Sequence, residues 1–175
     1  MKKLLAMVFL VILFVNCIST GNINNDIFGE RYDEKNAKFS MYIPKDWVIT
    51  DSNQKYMMVM GPIKENFRPN ITFSDEQYSG IISEYIDAVI GILPQVFADF
   101  EVIERERFIT NTNLQGGYII YFGRLNEIMV RQKMYIIQNK GRTTVMAITC
   151  TASPVDGEEY DSVFDASVKT FDWKK

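Results

Sequence analysis

The residue types that carry most protein chemistry are sparse in this chain, and their surroundings narrow what remains. There is no histidine. That removes Ser-His-Asp and Cys-His activation and every His-ligated metal site. The two cysteines are Cys17 and Cys150. Cys150 ends the apolar run Met146-Ala147-Ile148-Thr149-Cys150, where a thiol is a buried, inert packing group rather than a nucleophile. Asp156-Gly157-Glu158-Glu159-Tyr160-Asp161 gathers carboxylates but lacks the alternating ligands and terminal Glu of an EF-hand loop. It reads as the acidic start of a helix. Glu104-Arg105-Glu106-Arg107 alternates in sign, as a solvated strand face with cross-strand pairing would. Gly116-Gly117 lacks the spacing of a nucleotide loop and marks a bulge or close backbone approach. Tyr56-Met57-Met58-Val59-Met60 reads as core packing in preference to an adaptable binding surface. Trp47 reads as core packing near a sheet end in preference to an exposed anchor for a partner. No catalytic constellation, metal site or cofactor site stands out, and the chain is read as a non-enzyme.

Cys17 differs because of what precedes it. Lys2 and Lys3 lead into an unbroken apolar run over residues 4–15, then Asn16. The run fits the apolar region of a secretory signal, about 7–15 residues. It is short of the roughly 20 needed to span a bilayer. The site resembles the lipobox of bacterial lipoproteins, in which cleavage leaves an acylated cysteine as the first residue. Phe14 and Asn16 stand where the strict pattern has Leu and a small residue, and ordinary cleavage after Thr20 or Gly21 is the alternative. The expectation is a signal peptide over residues 1–16 and lipid on Cys17. Residues 17–37 are expected to form a polar tether, and residues 38–175 one globular domain. One acyl chain gives marginal membrane binding, whereas two or more hold a protein on the bilayer.

Removing the leader with its two lysines lowers the net side-chain charge from −3 to −5. An acidic surface disfavours phosphate-backbone binding, so no nucleic-acid partner is expected. With Cys17 acylated no intrachain disulfide can form, and the domain must rely on a packed core.

The elements that would position these residues follow from periodicity. Residues 39–43, 47–50, 55–60 and 70–73 read as strands separated by Pro, Gly and Asn turns. Ile27, Phe28 and Tyr32 could dock the end of the tether on the domain. Ile82, Tyr85, Ile86, Val89, Leu93, Val96, Phe97 and Phe100 recur at helical spacing. Ser79 is the expected N-cap, and Pro94 should kink or split this helix. Residues 101–110, 117–125, 128–138 and 142–151 read as four further strands. The last two form a hairpin over Asn139-Lys140-Gly141, with Gly141 left-handed and Gln138 opposite Arg142. That register puts Val130, Met134, Ile136, Met146, Ile148 and Cys150 on one face. Arg131, Lys133, Tyr135, Val145 and Ala147 then share a mixed second face. Tyr160, Val163, Phe164, Val168 and Phe171 form a second helical stripe. Strand runs separated by single helices indicate an α+β fold, with an antiparallel sheet packed by helices.

Phe39-Ser40-Met41-Tyr42-Ile43-Pro44-Lys45-Asp46-Trp47 resembles the opening strand, Pro turn and Trp of the PsbP/Mog/DcrB-like superfamily. So do Gln115-Gly116-Gly117 leading into a long strand and the closing Lys169-Thr170-Phe171, over about residues 38–173. The resemblance implies a central antiparallel sheet between helices in an α/β/α sandwich, and an accessory or binding role. Family members include photosystem accessory proteins, a Ran-binding protein and bacterial envelope lipoproteins. Some bind metal through histidine, which this chain lacks, so that site does not carry over.

The expected function is therefore a membrane-anchored, non-catalytic accessory module. It would be held by lipid on Cys17, on the periplasmic or cell-surface side, and bind an envelope protein partner. A carrier of small ligands or lipids, using a cleft between sheet and helix, is the alternative. An enzyme using carboxylate, tyrosine or lysine chemistry is the third reading.

Overall fold

A computed structural model describes residues 28–34, 38–52, 55–141 and 143–174. The chain runs β1 (Phe28–Asp33), β2 (Phe39–Pro44), β3 (Val48–Thr50), β4 (Met58–Met60), β5 (Asn70–Gln77), α1 (Ile82–Ile92), β6 (Ala98–Ile109), β7 (Gln115–Leu125), β8 (Ile128–Gln138), β9 (Thr144–Ala152), α2 (Gly157–Lys169) and β10 (Asp172–Trp173). Seven strands form one antiparallel sheet in the order β3-β4-β5-β9-β8-β7-β6. A small second sheet has the order β1-β2-β10.

Two cores follow from the two faces of the large sheet. Phe39, Met41 and Ile43 of β2, with Phe164, Val168 and Phe171, pack onto Ile71, Phe73, Tyr135, Ile137, Met146, Ile148 and Cys150. Trp47 closes this layer, edge-on to Phe164 at 5.9 Å between ring centroids. On the opposite face Tyr85, Ile86, Val89 and Leu93 cover Ile119, Tyr121, Val130, Met134, Ile136, Val145 and Ala147. The antiparallel α+β architecture read from the strand and helix order is the one observed.

Several expectations need correcting. Phe28–Asp33, read as the end of the tether, is strand β1; Tyr32 docks in the core as expected, Phe28 stays exposed, and Ile27 lies outside the described residues. The polar residues of β1 point outward, so periodicity gave it no apolar signal. Asp172–Trp173 is too short to show a period, yet it pairs with Ser40 and Phe39. β5 continues past Phe73 to Gln77 because Ser74, Asp75, Glu76 and Gln77 each pair with β9. Helix α1 is capped at Ile81 with no side-chain bond, so Ser79 is not its cap. Pro94 splits the helical stretch instead of kinking it, the second of the two outcomes expected, although the break falls after Ile92: a single 3-10 turn over Leu93–Gln95 takes the proline near its start, where a missing N–H costs nothing. Phe100 lies in β6, although it still packs against Tyr121.

The hairpin register also shifts. Gln138 pairs with Val145, not with Arg142. The Asn139 side chain explains the wider loop: its Oδ1 accepts from the N–H groups of Thr143 and Thr144 at 2.8 and 3.2 Å, a local side-chain closure that lengthens the turn. No glycine has positive φ among the described residues, so Gly141 is not left-handed. An odd shift in register exchanges faces. Tyr135 and Ile137 therefore share a face with Met146, Ile148 and Cys150. Val130, Met134 and Ile136 share theirs with Val145 and Ala147.

Candidate functional site

Cys17 lies outside the described residues. Cys150 is fully buried as a free thiol, and burial pushes its pKa well up although Lys133 pulls the other way. That is the inert packing role read from its neighbours.

The densest polar arrangement lies where α2 crosses β8. A central strand buried on both faces normally carries apolar side chains alone, yet β8 directs Arg131 and Lys133 toward α2. Both are almost completely buried, with side chains 6% and 4% exposed. Arg131 donates from both Nη atoms to the two Asp161 oxygens at 2.7 and 2.8 Å. Lys133 Nζ lies 2.9 Å from Asp165 Oδ1, and the Tyr135 hydroxyl donates to the same oxygen at 2.6 Å. The ammonium also sits 4.4 Å from the Tyr118 ring centre and 5.5 Å from that of Tyr135, a cation–π arrangement. Tyr118 in turn donates to Glu104 across the β6–β7 pair. Burial, more than any neighbouring charge, raises the pKa of Tyr118 and Tyr135.

Nothing in this group is poised for proton transfer or nucleophilic attack. Each cation is consumed by an aspartate, and the tyrosines are held as neutral donors. The arrangement acts as a clasp between helix and sheet. Sequence reading left it out, although a spacing signal was available. Cations two apart on a strand are about 6.6 Å apart, and aspartates four apart on a helix about 6.0 Å. Arg131/Lys133 and Asp161/Asp165 therefore match rung for rung.

The other candidates separate in space. Asp156 is drawn into an ion pair with Lys64 at 2.6 Å and accepts from Ser153 Oγ at 2.8 Å. The bond from Lys64, then that from Ser153, hold its pKa below the ordinary value. The acidic stretch that begins α2 is thus used in local pairing. On the opposite face a Cβ on Gly117 would meet Ile86 Cδ1 at 2.7 Å, and one on Gly123 would meet Phe97 Cβ at 2.7 Å. At Gly117 the sheet is in close contact with α1, and at Gly123 with the segment that leads from the 3-10 turn into β6. Trp47 and the Met58–Met60 strand are buried, as core residues.

Glu101, Glu104, Glu106, Arg105 and Arg107 are exposed along β6, the outermost strand of the large sheet. Arg105 reaches α1, bonding Asp87 at 2.5 Å and the Ser83 carbonyl at 3.1 Å. Cross-strand pairing, expected for the alternating charges, is made by Glu104 to Tyr118. Among the described residues no helix is long and apolar enough to cross a membrane.

No family model matches the sequence, and no curated protein matches it. Solved structures do match. Cyanobacterial PsbP (CyanoP) from Synechocystis superposes with a TM-score of 0.62 at 12% identity, covering 89% of this chain and 97% of that one. LpqN, described as involved in cell envelope biogenesis of Mycobacterium tuberculosis, gives 0.59 at 14% identity over 78% of this chain and 83% of its own. The Ran-binding protein Mog1p of Saccharomyces cerevisiae gives 0.59 at 6% identity over 84% and 96%. These likenesses, together with the sheet order and the two helices, show that the chain has the α+β fold of CyanoP, LpqN and Mog1p, the fold that the resemblance of its opening strand and turn implied.

Proposed function

We propose that this chain is a non-catalytic accessory module of a bacterial cell envelope. Residues 1–16 direct its export, lipid on Cys17 anchors it, and the domain binds another envelope protein. The observation that carries the reading is a lipobox-like leader ending at Cys17, joined to a fold shared with an envelope-biogenesis protein. Mog1p, a Ran-binding protein of the same fold, supports protein binding as the domain's mode of action. The clasp at Arg131 and Lys133 supports a non-catalytic role, because its buried charges are spent on each other.

Fractionation and mass measurement of the mature N-terminus test the anchor. The parent protein should sit in the membrane fraction with an acylated Cys17, and Cys17→Ser should be unprocessed or soluble. Normal processing and unchanged membrane attachment of the variant would sink the proposal. Crosslinking in intact cells should trap a reproducible protein partner, and repeated failure with well-displayed domain counts against the binding role.

A further inference from the structure

We propose that the free edge of β6 is a docking edge for an extended strand of another protein, one whose charges alternate in the sense opposite to its own. The inference deepens the protein-binding reading above and rests on it only for the partner's setting.

The large sheet ends in two unlike edges. β3 is three residues long and β6 is twelve. A short edge strand is one of the ways proteins blunt an edge against pairing. β6 is interrupted by register shifts between Ala98 and Glu101 and between Val102 and Glu104, but from Glu104 to Ile109 it pairs regularly with β7 and its outer backbone groups form an even row, with no strand beyond it among the described residues.

The register with β7 sorts the charges of β6 by face. Glu101, Glu104 and Glu106 lie opposite Phe122, Ile120 and Tyr118, on the α2 side of the sheet. Arg105 and Arg107 lie opposite Ile119 and Gly117, on the α1 side. One face of the edge is thus acidic and the other basic. The side chains of Glu101, Glu106 and Arg107 have no hydrogen-bond or ion-pair partner among the described residues. Ile103 and Ile109, 49% and 50% exposed, add apolar surface to the same strand.

A second copy of this chain does not fit in any register that sets residues 104–107 against themselves. In a two-fold antiparallel pair, directly opposed residues share a face, so each residue meets one of its own parity. Centring the pair on Arg105 sets Glu104 against Glu106 and Arg105 against itself. Centring it on Glu106 sets Arg105 against Arg107 and Glu106 against itself. Like charges directly opposite are destabilising. The fitting occupant is a different chain, with basic side chains on the α2-side face and acidic ones on the α1-side face. In an extended strand this means strict alternation of the two signs. Backbone bonds would supply affinity and the alternation selectivity.

Two synthetic peptides of equal length and composition test the proposal on the full chain. One alternates Lys and Glu throughout; the other carries all its Lys before all its Glu. The alternating peptide should bind about tenfold tighter than the block peptide and slow amide hydrogen exchange within residues 101–109. Glu106→Arg combined with Arg107→Glu leaves no register of strict alternation that suits residues 104–107. It should weaken the alternating peptide by about threefold or more, with the circular dichroism of the fold unchanged. Failure of both peptides to bind, equal binding of the two, protection outside β6, or undiminished binding by the charge-reversed variant would each overturn the proposal. The Cys17 anchor can fail independently, since none of these outcomes depends on it.

Discussion

Arg131 on β8 and Asp161 on α2 face each other as a two-point ion pair with the guanidinium buried. Removing one partner strands the other charge, whereas replacing both with apolar groups removes the desolvation cost as well. Asp161→Ala should lower unfolding stability by about 3 kcal/mol, near the low end for a buried pair because Asp161 is partly exposed. Arg131→Met with Asp161→Leu should recover most of that loss. Urea denaturation of Arg131→Met, Asp161→Leu and their double variant measures the coupling, with Asp161→Ala compared alongside. A double variant no more stable than Asp161→Ala would show that the pair holds α2 through geometry apolar side chains cannot replace.

Two glycines make opposite predictions. Gly91 lies on the exposed face of α1, and a Cβ there meets nothing within 4 Å. Gly91→Ala should therefore stabilise the domain by about 0.5 kcal/mol. A Cβ on Gly116 would run into the Ile136 carbonyl oxygen of the neighbouring strand, a backbone atom that cannot swing away. Gly116→Ala should cost about 1–3 kcal/mol. Thermal melts of both variants check the sign of each change.

Asp156 is held below the ordinary carboxylate pKa by Lys64 and Ser153. A depressed folded-state value adds stability above the unfolded pKa of about 3.9, and the gain disappears as pH falls through the folded value. Asp75 acts in the same direction: burial raises its pKa, but the ion pairs from Lys55 and Lys38 outweigh this. Melting temperature should therefore fall on acidification below about pH 4. Lys64→Met should flatten that acid limb and leave its shape near neutrality unchanged. Parallel curves for parent and variant would refute the assignment to Lys64.

The Ser167 hydroxyl donates to the Tyr42 carbonyl, and Thr170 Oγ1 accepts from the Tyr42 N–H at 2.8 Å. Side chains from the last turn of α2 and the residue that caps it thus serve the edge of β2 where β10 no longer runs alongside. Ser167→Ala should cost about 1 kcal/mol, because a carbonyl loses its donor. Its effect should be largest on hydrogen exchange in residues 39–43, and exchange changes confined to α2 would argue for a helix effect instead.

The large features were legible because each repeats a period. The α2 stripe, the long strands and the burial of Cys150 and Trp47 all follow from residue spacing. Local side-chain chemistry and short pairings hid the rest. Asn139 closing onto Thr143 and Thr144 moved the hairpin register and exchanged the faces assigned to β9. β1 and β10 gain their order from β2, not from their own apolar content. The clasp is not evident from spacing alone because its cations fall on a partly covered face, while the matching Asp161 and Asp165 lie 30 and 32 residues after them in sequence.

The small sheet draws on both distant parts of the domain: β2 is flanked by β1 on one side and by Asp172 and Trp173 on the other. A chain emerging from a ribosome or a translocation pore delivers β2 long before β10. Until residues 172–173 arrive, one flank of β2 has no backbone partner, and its Phe39, Met41 and Ile43 lack the covering Phe171. Such long-range closure is slow relative to local contacts. The small sheet is completed only once residues 172–173 are available, an order of events that would suit the export proposed above.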